Sequence, residues 1–230
     1  MAIIAIHQPN YFPWLGYFWK VSHSNTFVFL DDVQFSKNSF TNRTQVLCNG
    51  KVKWLTVPVR VRLGDVIFAV RPVGCDWIAD HVRALHSYYG SATAFRQSWP
   101  VVEQIYATAP DGDLAVINRH FVICTARKLG LETEFVAAST LGDLSTGSSE
   151  RLIEIIQRLA PGGTYLSGHG GAKYQDAATF SASGIELTYS DFRHPNYPQL
   201  AEKFIPGLSI LDAIFNVGWA ETARFVSGSE

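Results

Sequence analysis

Ala2-Ile3-Ile4-Ala5-Ile6-His7-Gln8-Pro9-Asn10-Tyr11-Phe12-Pro13-Trp14-Leu15-Gly16-Tyr17-Phe18 opens the chain, and Thr26-Phe27-Val28-Phe29-Leu30-Asp31-Asp32 follows shortly after. The first apolar run stops abruptly at polar side chains, as a strand buried on both faces does; a strand with one wet face would alternate. Trp14 to Val21 is rich in large side chains and reads as a short helix, and Thr26 to Leu30 reads as a second buried strand. Strand, loop, helix and strand make a βαβ unit, whose crossover is almost always right-handed, so the two strands are expected to be parallel neighbours. His7 and the Asp31-Asp32 pair then lie at carboxyl ends of strands, where open sheets of this kind hold their ligands. The expected fold is α/β, a Rossmann-like and mostly parallel sheet flanked by helices.

Further along, Asn49-Gly50 separates Thr44–Cys48 from Lys51–Val57. Asn-Gly suits the positive φ angles of a type I′ turn, so a β-hairpin is expected to be inserted here. Val66 to Val70 reads as another strand, and Trp77–Tyr89 and Phe95–Tyr106 as helices bounded by Gly90 and Pro110. Asp113 is placed to cap a helix that carries Leu114, Ile117, Phe121 and Cys124 at helical spacing and ends at Gly130, which makes Cys124 a core residue. Then come a strand at Glu134–Ala137, a helix after Ser148, a strand at Thr164–Leu166, a helix at Gln175–Ser183, a strand at Ile185–Tyr189 and a helix at Leu208–Asn216. One domain over residues 1–230 is expected, with residues 139–148 as its best candidate seam.

The 230 residues are 47% apolar, ample for a packed core, and the formal net charge of −1 gives no reason to expect a nucleic-acid polymer as partner. Cys48, Cys75 and Cys124 form neither a disulfide framework nor a Cys-x-x-Cys metal site. Neither a signal peptide nor a run of membrane-spanning length is visible, so a soluble cytoplasmic protein with no membrane insertion is expected.

Titratable residues at strand ends are the candidates for chemistry. His7, with an imidazole whose unperturbed pKa lies near neutrality, suits a general base or a phosphate ligand, the bland alternative being a hydrogen-bonded turn histidine. One of Asp31 and Asp32 is expected to point into a crevice toward a base partner, a metal or a substrate amine; the bland alternative is capping or an ion pair with Lys37 or Arg43. No metal is expected, because no further carboxylate or histidine cluster accompanies the pair. Lys37, Asn42 and Arg43 offer donors for phosphate or carboxylate, with Gln8 and Gln34 beside them. Ser167-Gly168-His169-Gly170-Gly171-Ala172-Lys173 lies between a strand and a helix, where backbone amides cradle anions, which makes Tyr165, Ser167, Gly168 and Lys173 candidates. His194, Tyr197 and Gln199 sit in a proline-stiffened loop and combine a flat face with hydrogen-bonding groups, as sugar and base sites do. Asp212 and Asn216, one helical turn apart, read as support. Neither Cys48 nor Cys75 has a sequence partner that would activate it, and no Gly-x-Ser-x-Gly elbow occurs, so covalent catalysis is not indicated.

His7-Gln8-Pro9-x-Tyr11-x-Pro13-Trp14-x-Gly16-Tyr17-Phe18, Leu30-Asp31-Asp32-Val33-Gln34-Phe35, Asn42-Arg43, Trp54-Leu55-Thr56-Val57-Pro58, Tyr165-Leu166-Ser167-Gly168, His194-Pro195-x-Tyr197-Pro198-Gln199 and Leu211-Asp212 to Phe215-Asn216-x-Gly218, in that order, resemble the WbqC-like protein family across essentially the whole chain. The sequence departs from the family pattern at His169 and Gly170, where proline and serine are expected. Tyr11 and Trp14, in the cluster that follows the first strand, are also candidate binding residues. The resemblance implies a setting in bacterial surface-polysaccharide and O-antigen synthesis. There the expected role is N-acylation, glycylation being one form, of a nucleotide-linked amino sugar by an acyl or aminoacyl donor, free or carrier-bound. It names no cofactor and no oligomeric state. A fainter likeness to nucleotidylyltransferases of the HIGH superfamily rests on the opening strand and Gln-Pro turn. Tyr17 stands after Gly16, without that motif's paired histidines, and this likeness gives an ATP-dependent ligase as the alternative enzyme. A non-catalytic sugar-nucleotide-binding module is the alternative from another class.

Overall fold

Continuous apolar strands need cover on both faces, and the computed structural model supplies it with helices on either side of one sheet. It describes residues 1–228 other than Cys75, Thr146 and Tyr174, and all of their side chains except those of Ser148, Ala172 and Lys173. The readings made above for Cys75 and for the Lys173 side chain therefore lie outside what is described. Strands β1 (Ile3–His7) and β2 (Thr26–Phe29) flank helix α1 (Leu15–Ser22) and pair in parallel from Ile4 opposite Thr26 to His7 opposite Phe29. The hairpin strands β3 (Arg43–Cys48) and β4 (Lys51–Thr56) and a two-residue ribbon of β5 (Val59–Arg60) and β6 (Arg71–Pro72) follow. Helices α2 (Trp77–Tyr89), α3 (Phe95–Ala107) and α4 (Leu114–Lys128) lead to β7 (Glu134–Ala137). The remainder alternates as α5 (Ser148–Leu159), β8 (Thr164–Ser167), α6 (Ala177–Ala182), β9 (Glu186–Tyr189) and α7 (Ile210–Ser227).

The central sheet has five strands in the order β7-β2-β1-β8-β9, all parallel. Alternate residues feed two cores. Ala5, Phe27, Phe29 and Leu166 meet α1 to α4, α7 and the hairpin on one face, whereas Ile4, Ile6, Val28 and Tyr165 meet α5 and α6 on the other. Crossovers on one face while the chain adds strands in one direction, and on the other face once it reverses, are what right-handed connections require. The reversal lies between β1 and β8, so the crevice of a doubly wound sheet falls there.

Asn49 and Gly50 take φ of 50° and 70°, as a type I′ turn demands, and close the hairpin with Cys48 opposite Lys51. Asp113 accepts from the Val116 amide at 3.0 Å and caps α4, and Gly130 ends that helix at φ 77°. Several expectations need correction. Residues 66–70 are no continuous strand: Val66 makes only an isolated antiparallel bridge with Gln34, and Ile67–Ala69 is a 3-10 turn in which the Ala69 and Val70 amides turn back to the Val66 and Ile67 carbonyls. Cys124 is half-buried at the rim of the core. The helix expected from Gln175 begins at Ala177, where Asp176 caps it. The last helix runs on to Ser227 across a break at Gly218, whose φ of 84° and ψ of 173° are not helical. Among the described residues no helix is long and apolar enough to cross a membrane.

Candidate active site

His7 is the last residue of β1, and its half-buried ring meets Tyr17 edge-on, with centroids 4.8 Å apart. Its Nδ1 lies 3.1 Å from the Gln8 carbonyl oxygen, which can only accept, so Nδ1 carries the proton and Nε2 holds a lone pair. Among the described residues Nε2 has no hydrogen-bonding partner and is not sealed from solvent. Burial, and then the nearby positive charge of Lys20, push the imidazole down to about 3, with the Gln8 bond pulling weakly the other way. His7 is therefore neutral at physiological pH.

Lys20, on α1, is 5% exposed, and its ammonium donates to the Ile6 carbonyl at 3.1 Å. Desolvation lowers it from 10.5 to about 8. It went unnoticed in the sequence, although a lone cation within Trp14-Leu15-Gly16-Tyr17-Phe18-Trp19-Lys20-Val21 was a legible signal that a charge would be buried.

Across the crevice, Ser167 ends β8 and Gly168 begins the glycine-rich turn, in which His169–Lys173 forms a 3-10 turn. A Cβ at Gly168 or Gly170 would meet nothing within 4 Å, so a ligand can approach this backbone. At Gly171 a Cβ would come within 2.5 Å of the Ser167 hydroxyl and 2.8 Å of the Gln175 amide oxygen, so a larger residue there would require both side chains to shift. Tyr165 lies under α6, stacked on Phe180 and 3.4 Å from the Gln175 amide.

Beyond β2 the two aspartates part to opposite faces. Asp31 is fully buried and saturated: Arg119 of α4 pairs with Oδ2 at 2.5 Å, and the Ser139 amide and hydroxyl donate to its two oxygens at 2.9 Å. The ion pair is made with Arg119, not with Lys37 or Arg43. Asp32 pairs with Arg151 of α5 at 2.5 Å, while its Oδ1 is buried with no hydrogen-bonding partner among the described residues. No local sequence signal identifies Arg119 or Arg151, which stand 88 and 119 positions away from their partners.

The other candidates lie elsewhere. Gln8 contributes its carbonyl to His7 and Tyr17. Tyr11 is in the core, and its hydroxyl accepts from Tyr106 at 2.6 Å and donates to His81 Nδ1 at 2.7 Å, since His81 Nε2 must be the protonated nitrogen that donates to Thr56 O. Asn42 donates to the Val57 carbonyl, and the Arg43 guanidinium stacks 4.0 Å over Trp54 while binding Asn38. Gln34 and Lys37 line a separate pocket of about 450 Å³ with residues 61–64.

Trp14, His194, Tyr197 and Gln199 form a second cluster. Trp14 stacks on His194, whose Nε2 accepts from the Gly207 amide, so that His194 too is neutral and is lowered by burial. Tyr197, Gln199 and Tyr89 each donate to the fully buried Asp212 at 2.9 Å, and burial raises that carboxyl to about 6 despite the three bonds. These contacts tie the 190–207 loop to α7 and α2. Among the described residues no three His, Cys, Asp or Glu side chains converge as a metal site would.

The chain is 34% identical over 221 residues to "Uncharacterized protein Rv1507c" of Mycobacterium tuberculosis, with 95% of each chain covered. No solved structure matches it. The pattern described as the WbqC-like protein family matches residues 8–224, from the Gln8 turn through α7, and the chain belongs to that family.

Proposed function

We propose that the protein is a cytoplasmic enzyme of bacterial surface-polysaccharide synthesis that N-acylates a nucleotide-linked amino sugar, with glycine among the candidate acyl groups. One observation carries this reading: a neutral His7, its tautomer fixed by Gln8, holds an open Nε2 lone pair at the crevice between β1 and β8. The sugar's amine attacks the acyl carbonyl, a C–N bond forms and the bond to the donor's leaving group breaks. The amine proton passes to Nε2 and on to the leaving group. An imidazole lowered to about 3 is a weak base, so this transfer follows C–N bond formation, when the nitrogen has become far more acidic. The Gly168 turn is better placed than Arg43 to hold the diphosphate, since the Arg43 guanidinium is already engaged by Trp54 and Asn38. Asp31, with every oxygen engaged, serves in this reading to position the β2 loop.

The test is incubation with UDP-, dTDP- and GDP-linked amino sugars and acyl donors, read by mass gain of the sugar nucleotide. His7→Ala is expected to abolish turnover with the thermal transition unchanged, and a folded variant that still turns over would remove His7 as the base. The low basicity of His7 also favours a second reading, a binding module that hands the sugar nucleotide to a partner enzyme. That reading expects affinity without mass gain for every donor tried.

A further inference from the structure

Carbonyl directions along β1 fix where Lys20 points. The Ile3 and His7 carbonyls accept from Asn25 and Leu30, on the β2 side, while the Ala2 carbonyl accepts from Thr164 at the start of β8. Carbonyls of a parallel strand alternate in direction, so that of Ile6 faces β8. Pairing between β1 and β8 ends at Ala5 and Leu166, one residue short of Ile6. The Ile6 oxygen is taken instead by the Lys20 ammonium at 3.1 Å, which stands where the two strands part. That is the mouth of the crevice, with the Gly168 turn on its far side.

An ammonium has three protons, and one is used here. The residue is 5% exposed, and among the described residues no carboxylate lies within ion-pairing distance of it. A charge stripped of water and left without a counter-ion is costly; such a group either gives up its proton or finds a partner, and a bound anion would be that partner here. The neighbouring His7 is neutral with Nε2 unprotonated, so it gives an anion neither positive charge nor a donor at Nε2, and that attraction is left to Lys20. Gly168 follows two residues after Leu166, the last residue paired with β1, and its backbone is open to approach.

We infer that Lys20 is the cationic centre of an oxyanion site at the parting of β1 and β8, and that its counter-ion is a phosphate group of the substrate. The site stands on the geometry alone; the assignment of its anion to a substrate rests on the function proposed above. A point-charge ammonium beside a glycine turn is a phosphate-binding combination. The phosphate can come from the diphosphate of the sugar nucleotide or from an acyl phosphate donor.

The experiment is thermal unfolding of the full chain against inorganic pyrophosphate at constant ionic strength, for wild type and Lys20→Met. The wild type is expected to melt higher as pyrophosphate rises, and Lys20→Met to fold without ligand and lose at least tenfold in apparent affinity. No response in the wild type, or affinity within twofold in the variant, overturns the inference. Should Lys20→Met fail to fold, the 13Cε resonance of Lys20 in wild type is titrated with and without pyrophosphate. A higher pKa with pyrophosphate supports the site, and an unchanged one refutes it. UDP and acetyl phosphate in the same assay separate the two sources, since the one whose stabilisation depends on Lys20 occupies the site, and dependence in neither refutes the substrate assignment. None of these readouts needs turnover, so failure of the transferase reading and failure of this one are distinguishable.

Discussion

Replacement of Lys20 by methionine should change how stability depends on pH, by an amount the structure sets. The ammonium is buried, bonded only to the Ile6 carbonyl, and lowered from 10.5 to about 8 by desolvation alone. At about 1.4 kcal/mol for each pH unit, that fall amounts to about 3 kcal/mol, an order-of-magnitude figure. The sign follows from proton counting. Between about pH 8 and 10.5 the unfolded lysine keeps a proton that the folded one has lost, so the wild type gains stability as pH rises through that window. Below about pH 8 both states are charged and the full cost is borne. Lys20→Met has nothing to titrate there. Its lost bond to Ile6 O shifts its whole curve by about 1–3 kcal/mol without bending it, and the adjacent His7 is neutral throughout. Urea unfolding of both proteins at about pH 7, 8, 9 and 10.5 isolates the effect as a difference between two curves. Wild type minus variant should climb by about 3 kcal/mol from the lowest pH to the highest. Parallel curves would refute the account, because they would mean that the ammonium is solvated in the folded protein.

Three further outcomes are expected. Asp212 is raised from 3.8 to about 6, so its stabilising contribution is full below about pH 4 and is lost as pH rises through 6; against Asp212→Asn, wild type should weaken by about 3 kcal/mol across that window in urea unfolding, and no relative change would count against a buried, cation-free carboxylate. Asp31→Asn removes the carboxylate from Arg119 and one acceptor from Ser139, and should cost about 2–4 kcal/mol by chemical denaturation; a loss below about 0.5 kcal/mol would show the pair to be worth no more than a surface one. At Gly16 an added Cβ would come within 2.4 Å of the Trp14 ring, so Gly16→Ala should cost about 1–3 kcal/mol in wild type and far less in a Trp14→Ala background; equal costs in the two backgrounds would exclude that contact.

The two candidate clusters differ in what they are built to do. Around Asp212 every hydroxyl and amide that approaches is used within the chain, and neutral donors hold the carboxylate in place. At the crevice the opposite holds, for His7 Nε2 and two protons of Lys20 have no acceptor or donor among the described residues. Unused capacity of this kind is what a ligand site retains.

Much of the fold was legible because its signals are local. Ala2 to Ile6 and Thr26 to Leu30 lack alternation, which leaves only strands covered on both faces, and Asn49-Gly50 leaves little choice of turn. Asp113 and Gly130 bracket α4 by capping chemistry that works within a few residues. Residues 66–70 do not make the strand expected of them because β-branched side chains favour a strand only where a ladder continues, and here pairing stops after one bridge, Val66 with Gln34.

By itself, then, the sequence determined the family, the α/β class and the position of His7 and the aspartates at strand ends. Only the tertiary structure decided which of those groups remain chemically available. Asp31 is consumed by an arginine 88 positions away, Tyr11 by a buried chain of hydroxyls ending at His81, His194 by its own loop, and Gln199 by its loop and Asp212. Lys20, carried by a helix that looked merely apolar, is brought to the mouth of the crevice. The physical reason is range: caps, turns and burial patterns act over a handful of residues, whereas the charge state of a side chain and its free valences are set by whatever the fold presses against it.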